Sequence, residues 1–243
     1  MKNDLLTIGG LTVHGYGLMI GIGFIAAYLM TEFRARKYRM NTDIVFTLFI
    51  SSVVFGLLGA KALYYLTILD RVIKDPGVIL DEMEGFVVYG GIIGGVLAGY
   101  VVCRIKKEKF WQYFDLIAPA IALAQGFGRI GCLLAGCCYG KETDSPLSIT
   151  FHTSDFAPND VALIPTQIYS SILDFLNCMV LCLIARYAKK ERTVSGCYLI
   201  FYSTGRFILE FFRGDLERGS VGVLSTSQFI SIFIFVIGAA ILF

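Results

Sequence analysis

The chain has 243 residues, of which 56% are hydrophobic and 16% charged, with a net charge of +2 and a mean hydropathy of +0.70. Soluble domains average about 45–50% apolar and about 25% charged residues, so a water-soluble globule does not fit. Its 20 Phe and 13 Tyr are too much apolar surface for a disordered chain, and a charge of +2 gives no cation surplus for nucleic-acid binding. What remains is an integral membrane protein.

Seven apolar stretches are long enough to cross about 30 Å of hydrocarbon as helices. They lie near Gly15–Met30, Ile44–Leu69, Gly85–Cys103, Phe114–Gly136, Thr166–Tyr187, Val194–Phe212 and Leu224–Phe243. The runs are continuous and not alternating, which predicts an all-α bundle and not a barrel. The connection after the first span carries Arg34, Arg36, Lys37 and Arg39, and the one after the third carries Arg104, Lys106, Lys107 and Lys109. The one after the fifth carries Arg186, Lys189, Lys190 and Arg192. The opposite side holds only Lys2, Arg71, Lys74, Lys141, Arg213 and Arg218. This alternation predicts an outside N-terminus and a cytoplasmic C-terminus. A single polytopic domain over 1–243 is expected, monomeric in the membrane, with the segment 137–165 as a small extracytoplasmic cap between the fourth and fifth helices. Met1–Gly10 shows no small-residue cleavage site, so the first span is expected to be retained.

Charge inside a span is costly, about 2.5–3.5 kcal/mol per residue on insertion scales, and marks function by default. Lys61 lies near the outer end of its helix, where its ammonium can reach the interface. Arg129 lies two-thirds along the fourth span among Gly126, Gly128 and Gly131, too small to shield it, so its partner must come from another helix or a ligand. This glycine density also points to a broken helix or to backbone approaching a ligand. Gly90, Gly91, Gly94, Gly95 and Gly99 in the third span have the spacing of close helix packing. In the sixth span Tyr202, Arg206, Glu210 and Arg213, spaced 4, 4 and 3, share one helix face. An internal Arg206–Glu210 pair alone leaves Arg129 without a mate in the sequence. Two buried guanidiniums sharing one carboxylate suit a bidentate phosphate. In the outer leaflet that phosphate belongs to a phospholipid head.

Of seven cysteines, Cys103, Cys178, Cys182 and Cys197 lie in spans as small apolar residues. Cys132, Cys137 and Cys138 cluster just beyond Arg129, where a disulfide is open to them on an oxidising side. They form no paired metal motif, and His14 and His152 are the only histidines, so neither metal nor cofactor is expected. Leu134-Ala135-Gly136-Cys137 reads like a lipobox in mid-chain, which raises the idea that Cys137 itself takes up lipid.

These segments resemble the prolipoprotein diacylglyceryl transferase family of bacterial inner-membrane enzymes over nearly the whole chain. The likeness rests on Tyr16-Gly17-Leu18-Met19, on Tyr89-Gly90-Gly91-Ile92-Ile93-Gly94, and on Gly128-Arg129-Ile130-Gly131 through Tyr139-Gly140. Pro165 through Tyr169, Gly205-Arg206-Phe207 through Arg213, and Ser227-Gln228 complete it. The resemblance implies transfer of a diacylglyceryl group from phosphatidylglycerol to the lipobox cysteine of a preprolipoprotein, releasing glycerol phosphate at the outer face of the inner membrane. It implies Arg206, Glu210 and Tyr89 as catalytic residues. Arg129, Tyr16, Gly90, Gly91, Cys132, Cys137, Gly140, Tyr202 and Arg213 would contact substrate, and the partners would be phosphatidylglycerol and preprolipoprotein signal peptides. The chain departs from the family pattern at Tyr89 and Ile164, where histidine is usual, at Cys132 and Cys137 in place of asparagine and glutamate, and at Ser170 in place of glutamate. The phosphate-binding half is thus kept and the thiol-activating half altered, so that another group activates the thiol, or the transferase acts on a different acceptor, or the chain is a non-catalytic phospholipid binder or transporter.

Overall fold

The computed structural model describes residues 4–8, 11–81, 85–215 and 219–242. Lys2 and Arg218, two of the cations assigned to the outer side, lie outside these residues, as does Phe243. The chain divides into two compact units, Glu32–Tyr113 and a larger one made of Met1–Thr31 with Phe114–Phe243.

Each apolar stretch is a helix. They are α1 (Gly15–Lys37), α2 (Thr42–Thr67), α5 (Val88–Ile105), α6 (Phe110–Ala135), α7 (Thr166–Tyr187), α8 (Thr193–Glu210) and α9 (Thr226–Leu242). Two short helices, α3 (Leu69–Lys74) and α4 (Val78–Asp81), lie between α2 and α5. Three two-stranded antiparallel ribbons complete the chain: β1 (Asp4–Ile8) with β2 (Leu11–His14), β3 (Ile149–Thr150) with β4 (Ala162–Leu163), and β5 (Ser220–Val221) with β6 (Leu224–Ser225). α1, α2, α5, α6 and α7 are long and apolar enough to cross a bilayer, and α9 is a shorter apolar helix. The protein is a helical, multi-pass membrane protein.

Two expectations change. The first basic connection is mostly helix: α1 continues past Met30 to Lys37, and Arg36 pairs with Glu32 one turn back. α6 is not broken at its glycines but continuous through Arg129. Two of the glycines accommodate neighbours instead: Gly131 faces Tyr16 and Met19 of α1, and Gly126 faces the ring of Phe175.

In the smaller unit the Asn41 side chain accepts a hydrogen bond from the Asp43 amide and caps α2. α2 and α5 approach backbone to backbone, with Gly59 against the Gly90 carbonyl and Gly56 against Gly91. Ser52 Oγ donates to the Gly95 carbonyl at 3.3 Å. This is small-residue packing in lipid, where only close backbone approach gives dispersion an advantage over acyl chains. Lys61 is held inside this unit: its ammonium donates to the Gly85 carbonyl at 3.3 Å and lies 4.8–5.2 Å from the ring centroids of Tyr64, Tyr65 and Phe86.

In the larger unit α6, α7 and α8 meet over Ala118, Ala122, Cys178, Leu181, Val194 and Tyr198. Here Cys178 serves as the small apolar residue expected. Asp115 near the start of α6 accepts from the amides of Arg192 and Ser195 at 2.7 and 2.8 Å, satisfying open donors at the start of α8. Tyr198 of α8 donates to Gln125 of α6 at 3.2 Å. At the other end, the connection leaving α6 is bonded to both its neighbours. Gly140 N–H donates to the Ile164 carbonyl, Lys141 N–H to Phe212, and Gly214 N–H to Tyr139, at 2.9–3.1 Å. The end of α6, the start of α7 and the end of α8 therefore lie together. The segment 137–165 has its own small core of Phe151, Ala157 and Leu163.

Gly59→Val is expected to force α2 and α5 apart and to destabilise the protein by about 1–3 kcal/mol, the usual cost of overpacking. Gly21→Ala, with nothing within 4 Å of a new Cβ, is expected to leave stability unchanged or slightly raised. Thermal unfolding of the two purified variants in detergent checks the contrast.

Candidate active site

The contacts just described fix the register of α8 against α6. One turn beyond the Gln125–Tyr198 bond, each helix presents a polar residue: Arg129 is four residues after Gln125, and Tyr202 and Arg206 are four and eight after Tyr198. The rings of Tyr198 and Tyr202 stack with centroids 5.9 Å apart. Between α6, α7 and α8 lies a cavity of about 270 Å³ lined by Arg129, Tyr202 and Arg206, and by Ser170, Asp174 and Asn177 of α7. Leu173, Leu176, Val180, Phe201 and Leu209 form its apolar wall. The two guanidiniums that sequence spacing suggested would converge do face one cavity. Its volume lies just below the usual ligand-pocket range of about 300–1,000 Å³, which fits a headgroup whose acyl chains stay outside.

The electrostatics differ from the expected picture. Arg206 is fixed from two sides: one Nη2 donates to Ser227 Oγ at 2.9 Å and lies 3.0 Å from Glu210 Oε2. Glu210 Oε2 forms ion pairs without an aligned hydrogen bond, standing 3.8 Å from Arg213 Nε as well. Arg129, by contrast, closes no ion pair or hydrogen bond among the described residues, and it lines the cavity. Asp174 also closes none, though it stands within electrostatic reach of both Arg129 and Arg206. The buried Asn177 Oδ1 has no hydrogen-bond partner. The formal charges of Arg129, Arg206, Asp174 and Glu210 therefore balance, and the single shared carboxylate inferred from the sequence becomes two.

Asp174 and Asn177 are the residues that sequence reasoning passed over. The signal was there: an aspartate in the middle of the apolar run 168–187, with Ser170 four residues before it and Asn177 three after, makes one polar helical stripe.

The other expected site residues fall into three groups. Tyr16 lies beside the Arg129 region, its ring against Gly131. Arg213 and Gly140 do not line the cavity. Arg213 is buried just after α8 and forked onto Asp215, with Nε at 2.8 Å from Oδ1 and Nη2 at 2.5 Å from Oδ2. It forms a β-bridge with Gly140, where a side chain would strike the Ile164 backbone and Thr166. Both hold the extramembrane connections together. Tyr89, Gly90 and Gly91 belong to the smaller unit, where Gly90 and Gly91 pack α5 on α2 and Tyr89 is exposed near the start of α5.

Cys132, Cys137 and Cys138 are free thiols. Hydrogen bonds from the Cys132 and Cys137 thiols, with Arg213 and Arg129 beyond them, hold Cys138 below the ordinary thiol range. Hydrogen bonds with Cys132 and Cys138 push Cys137 above it.

The cavity between α6, α7 and α8 thus brings two guanidiniums and the Asp174 carboxylate together inside a wall of leucine, valine and phenylalanine. Residues 3–243 match the family described as Prolipoprotein diacylglyceryl transferase. The chain belongs to that family. It is 47% identical over 238 residues to the phosphatidylglycerol–prolipoprotein diacylglyceryl transferase of Clostridium tetani, covering 98% of this chain and 95% of that protein. It is 48% identical over 240 residues to the protein of Clostridium perfringens that bears the same name numbered 2, covering 98% and 93%. To the one numbered 1 in that organism it is 32% identical over 223 residues, covering 88% and 84%.

Asp215→Ala is expected to leave the buried Arg213 guanidinium half paired and to destabilise the fold by about 3 kcal/mol, without changing the KM for lipid in the protein that remains folded. Thermal unfolding, with initial rates measured below the transition, separates this structural role from a substrate contact.

Proposed function

We propose that the chain transfers a diacylglyceryl group from phosphatidylglycerol to the lipobox cysteine thiol of preprolipoproteins and releases glycerol phosphate. The observation that carries this reading is the pair Arg129 and Arg206 lining one cavity from two helices, in a chain 47% identical to a named transferase of this kind. The open donors of Arg129 bind the phosphodiester. Arg206, clamped by Glu210 and Ser227, stabilises the charge that develops on the leaving phosphate. Preorganised donors of this sort are worth most in a site with little water.

In the reaction the acceptor sulfur attacks the glycerol carbon that bears the phosphodiester. A carbon–sulfur bond forms, the carbon–oxygen bond breaks, and glycerol phosphate leaves with the electron pair. The thiol proton needs a base, and a phenol, protonated near neutrality, is a poor one. The carboxylate of Asp174 faces the same cavity and takes this role. Accepting the proton also neutralises Asp174, leaving the two arginines with a net positive charge as the phosphate departs. Tyr16 and Tyr202 stand beside the lipid head.

Seven spans, an outside N-terminus and a cytoplasmic C-terminus complete the proposal, with the segment 137–165 as a cap on the extracytoplasmic face of the bacterial inner membrane. The bias of twelve Lys and Arg to one set of connections supports this orientation.

The test uses the purified chain in phosphatidylglycerol vesicles with a synthetic lipobox peptide. A transferase releases glycerol phosphate and yields a diacylglyceryl-thioether peptide; a lipid binder yields neither. Arg206→Ala is expected to lower turnover by about 10²–10³-fold. Asp174→Asn is expected to lower it by about 10²–10⁴-fold while phosphatidylglycerol still binds, and full activity in Asp174→Asn assigns the base elsewhere.

A further inference from the structure

The transfer reaction gives no chemical task to the thiols of Cys132, Cys137 and Cys138. Cys132 lies in the last turns of α6, and Cys137 and Cys138 follow in the connection that leaves it. The chain reverses there through two left-handed residues, Gly136 at φ +76° and Cys138 at φ +60°. The reversal folds the second and third sulfurs back toward the first, and all three Sγ atoms lie within 4.8 Å of one another.

The reversal is anchored. The Cys137 amide donates to the Cys132 carbonyl at 3.1 Å. Gln167 Nε2 donates to the Cys137 carbonyl and Thr166 Oγ1 to the Cys138 carbonyl, each at 2.8 Å. Both of these come from the first turn of α7, so the sulfur cluster is held by two helices and is not a passing loop conformation.

From this arrangement we propose that Cys132, Cys137 and Cys138 form a three-coordinate thiolate site for a soft cation, Cu(I) in particular. A metal–sulfur bond of about 2.3 Å places the sulfurs of a planar trigonal site about 4.0 Å apart, so closing from at most 4.8 Å needs only small side-chain rotations. Among the described residues the cluster holds three sulfurs and no imidazole or carboxylate, which disfavours Zn²⁺, whose structural sites are tetrahedral with four protein ligands. Thiolates select Cu(I) by softness. Binding converts the thiols to thiolates with release of their protons, and no electron is exchanged. The positive charges of Arg129 and Arg213, within electrostatic reach of the cluster, offset the negative charge of a Cu(I)–trithiolate unit. The site adjoins the proposed lipid site and shares the field of Arg129 with it, but copper capture is read without lipid turnover, so the two proposals fail separately.

The test is an anaerobic titration of the reduced, detergent-solubilised chain with Cu(I) buffered by bathocuproine disulfonate. The chain is expected to withdraw one Cu(I) from the chelator. Cys132→Ser, Cys137→Ser and Cys138→Ser should each abolish stoichiometric capture, and Cys197→Ser should retain it. In the wild-type protein, where folding is not in question, bound Cu(I) should block alkylation of Cys132, Cys137 and Cys138, read by peptide mass spectrometry. Failure to capture Cu(I), capture that survives replacement of all three cysteines, or an alkylation pattern indifferent to copper overturns the proposal.

Discussion

An arginine held in a bilayer helix without a fixed partner is the constraint on which the site depends. Arg129 brings a guanidinium into an apolar helix, where an unshielded charge is disfavoured by kilocalories per mole, and it lines a cavity without closing an ion pair among the described residues. An anion entering that cavity would stabilise it. The other charges are arranged to keep it open. Glu210 is engaged by Arg206 and Arg213, and Asp215 by Arg213. Asp174 comes near but closes no pair.

The surrounding bundle serves that arrangement. Asp115 and Gln125 fix α6 against α8 at two levels, and the backbone bonds of Gly140, Lys141 and Gly214 tie the other end. With both ends fixed, a four-residue period carries Tyr202, Arg206 and Glu210 down one face toward Arg129. Register here is set by ordinary polar contacts outside the cavity, which leaves the groups inside it free for substrate.

Hydropathy alone located the helices, because lipid imposes length and apolarity on any span. Thr166–Tyr187 was placed to the residue and α6 to within a few. The shared face of Tyr202, Arg206 and Glu210 was equally legible, since helical spacing is a local property. Legibility failed where structure depends on what lies across a gap. α1 outruns its apolar stretch because Glu32 and Arg36 pair along its surface. The glycines of α6 make room for Tyr16, Met19 and Phe175 instead of breaking the helix. The fork of Arg213 onto Asp215, two residues on, is not written in the helical spacing of α8. Asp174 was overlooked because attention to cations left an isolated acid uncounted. The cysteines were judged by motif spacing, which does not foresee a left-handed turn at Cys138 that gathers three sulfurs.

The placing of Arg129, Arg206 and Asp174 on one cavity gives the site both its cations and an acid. It makes the cooperation of the two guanidiniums the claim to examine first. A double-mutant cycle on Arg129 and Arg206, each replaced by alanine singly and together, measures it as the affinity for a short-chain phosphatidylglycerol in detergent. If both grip one phosphate, the two losses should fall short of or exceed additivity by about 1 kcal/mol or more. Losses that add to within about 0.3–0.5 kcal/mol, or no loss from Arg129→Ala, would contradict the account.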